Sequence, residues 1–334
     1  MIDFNEFIKD RIIILDGAIG TMIKKRGLTE KDFRMNIPKG YIAPFAAAPK
    51  ELKNNYECLN FTRPELISEI HREYIEAGAR IIESNTFNAN RISQKEYGLG
   101  DFAYEMAKEG ASIARKTASS FKEKILVAGS AGPTSKSLTL GRDINKASKA
   151  SVSFEEMEAA YQEQIRGLID GGADIIMLET CFDSRNTEAA LRAIEKCSPH
   201  FPVMVSVSVN DKDGRTLTGE SLESFYEAIK HHHLLSFGIN SSFGAKDMIP
   251  LIQEVADFCE LPVSCHPNAE IPDESGEHYD KPWHMASELC KMAENGIVNI
   301  LGGSWGSTPE HICAINTAVT DIRPRELSKI RKTF

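Results

Sequence analysis

Two acids stand where a folded chain seldom leaves a charge alone. Asp16 ends the aliphatic run 12–16 (IIILD) and Glu179 ends the run 174–179 (DIIMLE). A carboxylate placed directly behind buried apolar residues is costly unless a cation meets it, so both acids call for a positive partner. A ligand ammonium is one such partner. Six further runs also end on polar residues: Glu83 with Asn85, Ser130, Ser208 with Asn210, Asn240 with Ser241, His266 with Asn268, and Ser304 with Trp305. Any one of these is an ordinary strand end entering solvent, but a complete set describes a small-molecule site.

The elements that must carry these tips are eight short runs suited to buried parallel strands: 12–16, 79–83 (ARIIE), 125–130 (ILVAGS), 174–179, 203–209 (VMVSVSV), 235–240 (LSFGIN), 261–266 (LPVSCH) and 298–302 (VNILG). Segments with helical spacing separate them. Thr62 to Glu65 and Ser153 to Glu156 fit the Ser/Thr-x-x-Glu capping box, and Thr308-Pro309 puts an N-cap before a proline at the first helical position. Gly78 and Gly172 each precede a strand beginning with alanine, as a helix C-cap would. Strands alternating with helices make either an open doubly wound sheet or a closed barrel. Asp16-Gly17-Ala18-Ile19-Gly20-Thr21 lacks the G-x-G-x-x-G spacing of a dinucleotide fold, and eight units favour an α/β (β/α)8 TIM barrel over 1–334 as a single domain. In that architecture sites are built at the C-terminal ends of the strands, where the polar tips fall.

Composition narrows the partners. The net charge of −9 is distributed along the chain and no Lys/Arg-rich run is present, which disfavours nucleic acid and anionic membrane. Seven scattered cysteines without a C-x-x-C pair suit reduced thiols rather than a disulfide framework. The first residues show neither signal peptide nor membrane span, so the expected location is cytoplasmic.

The motifs resemble a known family. Asp16 to Thr21, Glu83-Ser84-Asn85-Thr86-Phe87-Asn88-Ala89-Asn90, Ala128 to Pro133 and Leu178-Glu179-Thr180-Cys181-Phe182-Asp183 are similar to the homocysteine S-methyltransferases. Among these the homocysteine-binding region of cobalamin-dependent methionine synthase resembles them most. Asp213 to Leu217, Phe237 to Asn240, Gly244 to Met248, Pro267-Asn268-Ala269 and Gly302 to Ile312 extend the resemblance in order over nearly the whole chain. It implies a barrel enzyme of methionine biosynthesis in which Asp16 and Glu179 hold the substrate amino group and Gly17, Ala18 and Ser130 surround its carboxylate. Glu83, Asn85, Thr86 and Asn240 complete that substrate site.

The resemblance also implies a zinc ion held by three cysteines, one after the Asn of strand six and two after the Gly-Gly of strand eight. This chain has Ser241, Ser304 and Trp305 there. A hydroxyl is a poor zinc ligand beside a thiolate and an indole offers no lone pair, so zinc is not expected and no other cofactor is indicated. Trp305 either fills the metal position or presents an aromatic face. Cys181 and the Cys265–His266 pair are the alternatives for a rearranged metal site, but strand alternation sends Cys265 and His266 to opposite faces. His231-His232-His233 precedes strand six at the opposite end of the barrel and reads as a solvated helix end. Loop 266–285 is long enough for a lid, and loop 36–60 also suits a cover for the active face.

Two functions follow. One is a methyltransferase acting on an amino-acid-like substrate without zinc, its methyl donor a separate corrinoid protein, a folate or a small methylated compound. The other is a catalytically silent amino-acid-binding relative, or a partner module of a multi-protein methyl-transfer system.

Overall fold

Aliphatic runs this short, each followed by a helix, bury both faces only as parallel strands covered on one side by helices and on the other by one another. The computed structural model describes residues 4–35, 37, 45–140, 142–143, 152–273 and 276–327. All eight expected strands form: β1 (Ile13–Ile14), β2 (Ile81–Glu83), β3 (Leu126–Ala131), β4 (Ile175–Cys181), β5 (Val203–Val207), β6 (Ser236–Asn240), β7 (Val263–His266) and β8 (Ile300–Leu301). Each runs parallel to its neighbours, and β8 pairs with β1 through Ile300 opposite Ile13. Leu15 bridges Ile81, and the Asp16 amide donates to the Ile81 carbonyl at 3.0 Å. The last edge is therefore closed, and the fold is a (β/α)8 barrel.

Eight helices alternate with the strands: α1 (Pro64–Glu76), α2 (Ala103–Ala118), α3 (Phe154–Asp170), α4 (Ser184–Cys197), α5 (Leu222–Ile229), α6 (Ala245–Phe258), α7 (Pro282–Glu294) and α8 (Pro309–Val319). Helix α8 packs on both α7 and α1, completing the outer ring. Ser153 caps α3 with the expected reciprocal bonds to Glu156, and Thr308 caps α8 ahead of Pro309. Thr62 departs from expectation. It lies inside a preceding helical turn, Leu59–Thr62, where its hydroxyl bonds to the Cys58 carbonyl, and Arg63 becomes the N-cap of α1. That turn consumes the residue the capping pattern needed.

The barrel interior has two storeys. At the N-terminal end, Ile13, Leu15, Ile81, Leu126, Ala128, Ile175, Met177 and Met204 form an apolar plug, closed from below by Phe4 and Ile8 of a short helix, Phe4–Ile8. Because inward positions recur every second residue, the next inward residues are Glu83 after Ile81, Ser130 after Ala128, Glu179 after Met177 and Ser206 after Met204. The plug thus sets the floor of a polar mouth. Strands β6 and β7 approach so closely beside it that a Cβ on Gly238 would lie 2.0 Å from the Ser264 carbonyl oxygen, and only glycine fits.

The expected lid after β7 contains an antiparallel hairpin, Glu270–Asp273 paired with Gly276–Tyr279, whose tip at 274–275 lies outside the described residues. Its base is tied to the mouth, since the Ala269 and Glu270 amides both donate to the Trp305 carbonyl. Of loop 36–60, residues 36 and 38–44 lie outside the described residues. Its far end reaches the tip of β2, where the Asn85 side-chain amide donates to the Tyr56 carbonyl at 2.8 Å.

Candidate functional site

Three carboxylates meet at the mouth. Asp16 leaves β1 with its backbone pinned on both sides, to Ile81 and to the Gly303 amide. Its Oδ2 accepts the Glu83 amide at 3.0 Å, while its Oδ1 is buried without any hydrogen-bond partner. Glu83 and Glu179 keep part of their surface open to the mouth, and the Ser130 hydroxyl donates to Glu179 Oε1. Enclosure raises all three above the ordinary carboxylate range. Burial pushes Asp16 well up against the lowering bond from Glu83, with the Glu179 charge adding to the rise. Burial and then the Glu179 and Asp16 charges raise Glu83 in the same sense. Burial takes Glu179 to about 7 against the lowering bond from Ser130. Among the described residues no cationic side chain contributes to any of these shifts. The site is built to prefer a positive guest or, without one, protons.

The neighbouring residues hold this cluster in place. Ser130 receives the Thr86 hydroxyl on its carbonyl at 2.7 Å and directs its amide to the Ser84 hydroxyl at 3.1 Å. Asn85 turns its side-chain amide to Tyr56 and Asn60, away from the strands. Asn240 accepts the Thr180 amide at 2.9 Å and the Ser206 hydroxyl at 2.8 Å and donates to the Thr180 hydroxyl, so it clamps β4 to β6 directly behind Glu179. Of the three amides expected around a ligand carboxylate, Ser130 is committed to Ser84 and Ala18 to the Ser307 hydroxyl at 3.1 Å. The Gly17 amide has no such bond among the described residues, and its approach to Ser307 and Tyr74 leaves no room for a side chain.

Sequence reasoning missed the backbone strain at two strand ends. Thr180 and Ser241 sit at φ 57° and 52°, a left-handed backbone disfavoured for both residue types, at the ends of β4 and β6, which Asn240 joins directly. Nothing in a Thr or a Ser signals this, and such strain concentrates at functional sites. His266, one of the expected polar tips, turns inward at the end of β7. It is buried, held neutral by desolvation with a pKa lowered to about 3, and its Nε2 has no partner.

The opposite wall carries the three positions where the resemblance implied metal ligands. The Ser241 and Ser304 hydroxyls do converge, 2.5 Å apart and hydrogen-bonded to each other. Trp305 does not fill the space beside them: it is 52% exposed, with Lys24 Nζ 5.7 Å from its ring centroid. Cys265 faces the helix–strand core, and burial raises its thiol far above the usual range. Cys181 is buried with its thiol pushed up to about 12. Two hydroxyls occupied with each other and an indole turned to solvent do not fit a zinc ion, which takes thiolate, imidazole or carboxylate ligands.

The C-terminal mouth of a closed (β/α)8 barrel thus gathers three enclosed acids around an unpartnered oxygen. The chain belongs to the homocysteine S-methyltransferase family, whose sequence profile matches residues 13–319. Solved structures of the homocysteine methyltransferase MmuM from Escherichia coli have the same fold at 20% identity. The metallated form aligns with a TM-score of 0.72 over 93% of this chain and 98% of that one. The oxidised form gives 0.70 over 92% and 95%. Among the described residues no helix is long and apolar enough to cross a membrane.

Proposed function

We propose that the chain is a methyltransferase that holds an amino-acid-like acceptor at the strand tips and transfers a methyl group to it without zinc. The observation that carries this reading is Asp16 Oδ1, buried and unpartnered within a set of three carboxylates that no cationic side chain among the described residues neutralises. A substrate ammonium would satisfy that oxygen and draw the proton off Glu179, replacing a strained cluster of acids with an ion pair. The Gly17 amide then receives the substrate carboxylate. The side chain of the substrate points toward the wall formed by His266, Ser241 and Ser304.

A free thiol at neutral pH is only a few per cent thiolate, roughly, and the Ser241–Ser304 pair does not deprotonate it. The acceptor atom is therefore one that is nucleophilic without a metal, since burial keeps the neighbouring His266 imidazole from taking up a thiol proton. The methyl donor comes from a separate corrinoid protein, a folate or a small methylated compound, and the hairpin anchored at Trp305 covers the mouth when both are bound.

Titration calorimetry with homocysteine, methionine and other amino acids tests the substrate class. Binding that weakens at least about tenfold in Asp16→Asn and in Glu179→Gln supports the assignment, since a charge-assisted hydrogen bond is worth about 1.5–3 kcal/mol. Amino acids that bind both variants as tightly as the parent chain, or that do not bind at all, contradict it.

A further inference from the structure

Of the triple histidine 231–233, expected as a solvated helix end, His231 is exposed but His232 is not. His232 has a side chain only 6% exposed, held between two carboxylates of α4: its Nε2 lies 2.7 Å from Glu188 Oε2 and its Nδ1 2.7 Å from Glu195 Oε1. Glu188 and Glu195 are two helical turns apart, so they share one face of α4. His231 joins them, its Nε2 3.7 Å from the same Glu188 oxygen and its ring 4.2 Å from that of His232. One ligand atom each from Glu188, His231 and His232 falls within 4.8 Å of the others. The cluster lies ahead of β6, at the end of the barrel away from the mouth.

We propose that Glu188, His231 and His232 bind a divalent transition-metal ion such as zinc. Two imidazoles and a carboxylate are a ligand set such ions favour, with water completing the coordination. Tetrahedral ligands at about 2.0–2.1 Å from a metal are about 3.3 Å apart, so the 3.7 Å pair fits and the 2.7 Å pair needs only a small swing of the Glu188 side chain.

Two observations favour a metal over an ion-paired histidine. Glu195 on Nδ1 supplies the carboxylate behind a ligating imidazole that orients metal-bound histidines and fixes their tautomer. The cations of α4 that lie between these acids in sequence or just beyond them turn elsewhere: Arg192 and Lys196 both pair with Glu158. The His231 ring packs against that of His232 at a 39° tilt and brings a second imidazole nitrogen toward the same Glu188 oxygen. The bound ion would tie α4 to the segment linking α5 and β6.

Calorimetry and cobalt(II) absorption on the full chain near neutral pH test the site. The expected result is one equivalent of zinc or cobalt that is lost in Glu188→Gln and weakened at least about tenfold in His231→Ala, with Glu195→Gln weaker by about 10–100-fold. His231 is exposed, so its variant tests the site without threatening the fold. The same equivalent persists in Asp16→Asn, which separates it from the mouth. No uptake, or identical titrations of the parent chain, His231→Ala and Glu188→Gln, overturns the proposal.

Discussion

Glu179 makes amino-acid binding depend on pH in a way that can be worked out in advance. Its carboxyl titrates at about 7 in the empty site because burial outweighs the Ser130 hydrogen bond. An ammonium binds the ionised form, so a titration below that value must also expel the proton. The fraction of Glu179 already ionised rises from roughly a tenth one unit below its pKa to roughly nine-tenths one unit above, and affinity should rise about tenfold across that interval, about 1.4 kcal/mol. Calorimetry over this range, repeated in buffers of different ionisation heat, measures both the affinity and the protons released. The expected outcome is proton release at the acid end that fades toward the basic end. In Glu179→Gln the slope should flatten and the release diminish, leaving what Asp16 and Glu83 contribute. A pH-independent affinity in the parent chain, or an unchanged slope in the glutamine variant, refutes the reasoning.

Other expectations follow from the same geometry. Glu179 has a folded pKa above its unfolded value, so the native state holds the extra proton between roughly pH 4.5 and 7; stability falls as pH rises through that window, by on the order of 3 kcal/mol, and thermal melts of Glu179→Gln should show a shallower decline. Asp16→Asn removes a buried charge, so its melting temperature should equal or exceed that of the parent chain even as amino-acid affinity drops; a large loss of stability would show that Asp16 is structural. Restoring thiols with Ser241→Cys, Ser304→Cys and Trp305→Cys together should create a zinc site visible as cobalt–thiolate charge-transfer absorption, which the parent chain lacks. Gly238→Ala forces a Cβ against the Ser264 carbonyl and should cost at least about 2 kcal/mol in urea unfolding.

The strands were legible because parallel strands buried on both faces must be aliphatic throughout, and each of the eight runs became one. Asp16 and Glu179 were legible for a related reason, since a charge behind such a run has nowhere cheap to go. What sequence could not reveal was how polar neighbours divide their bonds. Ser130 and Ala18 were expected to offer amides to a ligand, yet Ser84 and Ser307, distant or unremarkable in sequence, already take them. Asn85 looked like a wall residue of the mouth, but the return of loop 36–60 draws its side chain outward. The left-handed backbone at Thr180 and Ser241 leaves no trace in residue type because Asn240 and the neighbouring strands impose it. Thr62 and His232 show the same effect at single residues: a helical turn absorbed the first, and two acids on another helix captured the second.

The most direct test of zinc-independent transfer is a methyl-transfer assay on chelator-treated protein, with methylated corrinoid, folate and small methylated donors offered against amino-acid acceptors and products read by mass spectrometry. A methylated amino acid that forms at an undiminished rate under chelation, and is lost in Asp16→Asn, is the predicted result. Turnover that requires added zinc, or no methylated product with any donor and acceptor despite amino-acid binding, would contradict it.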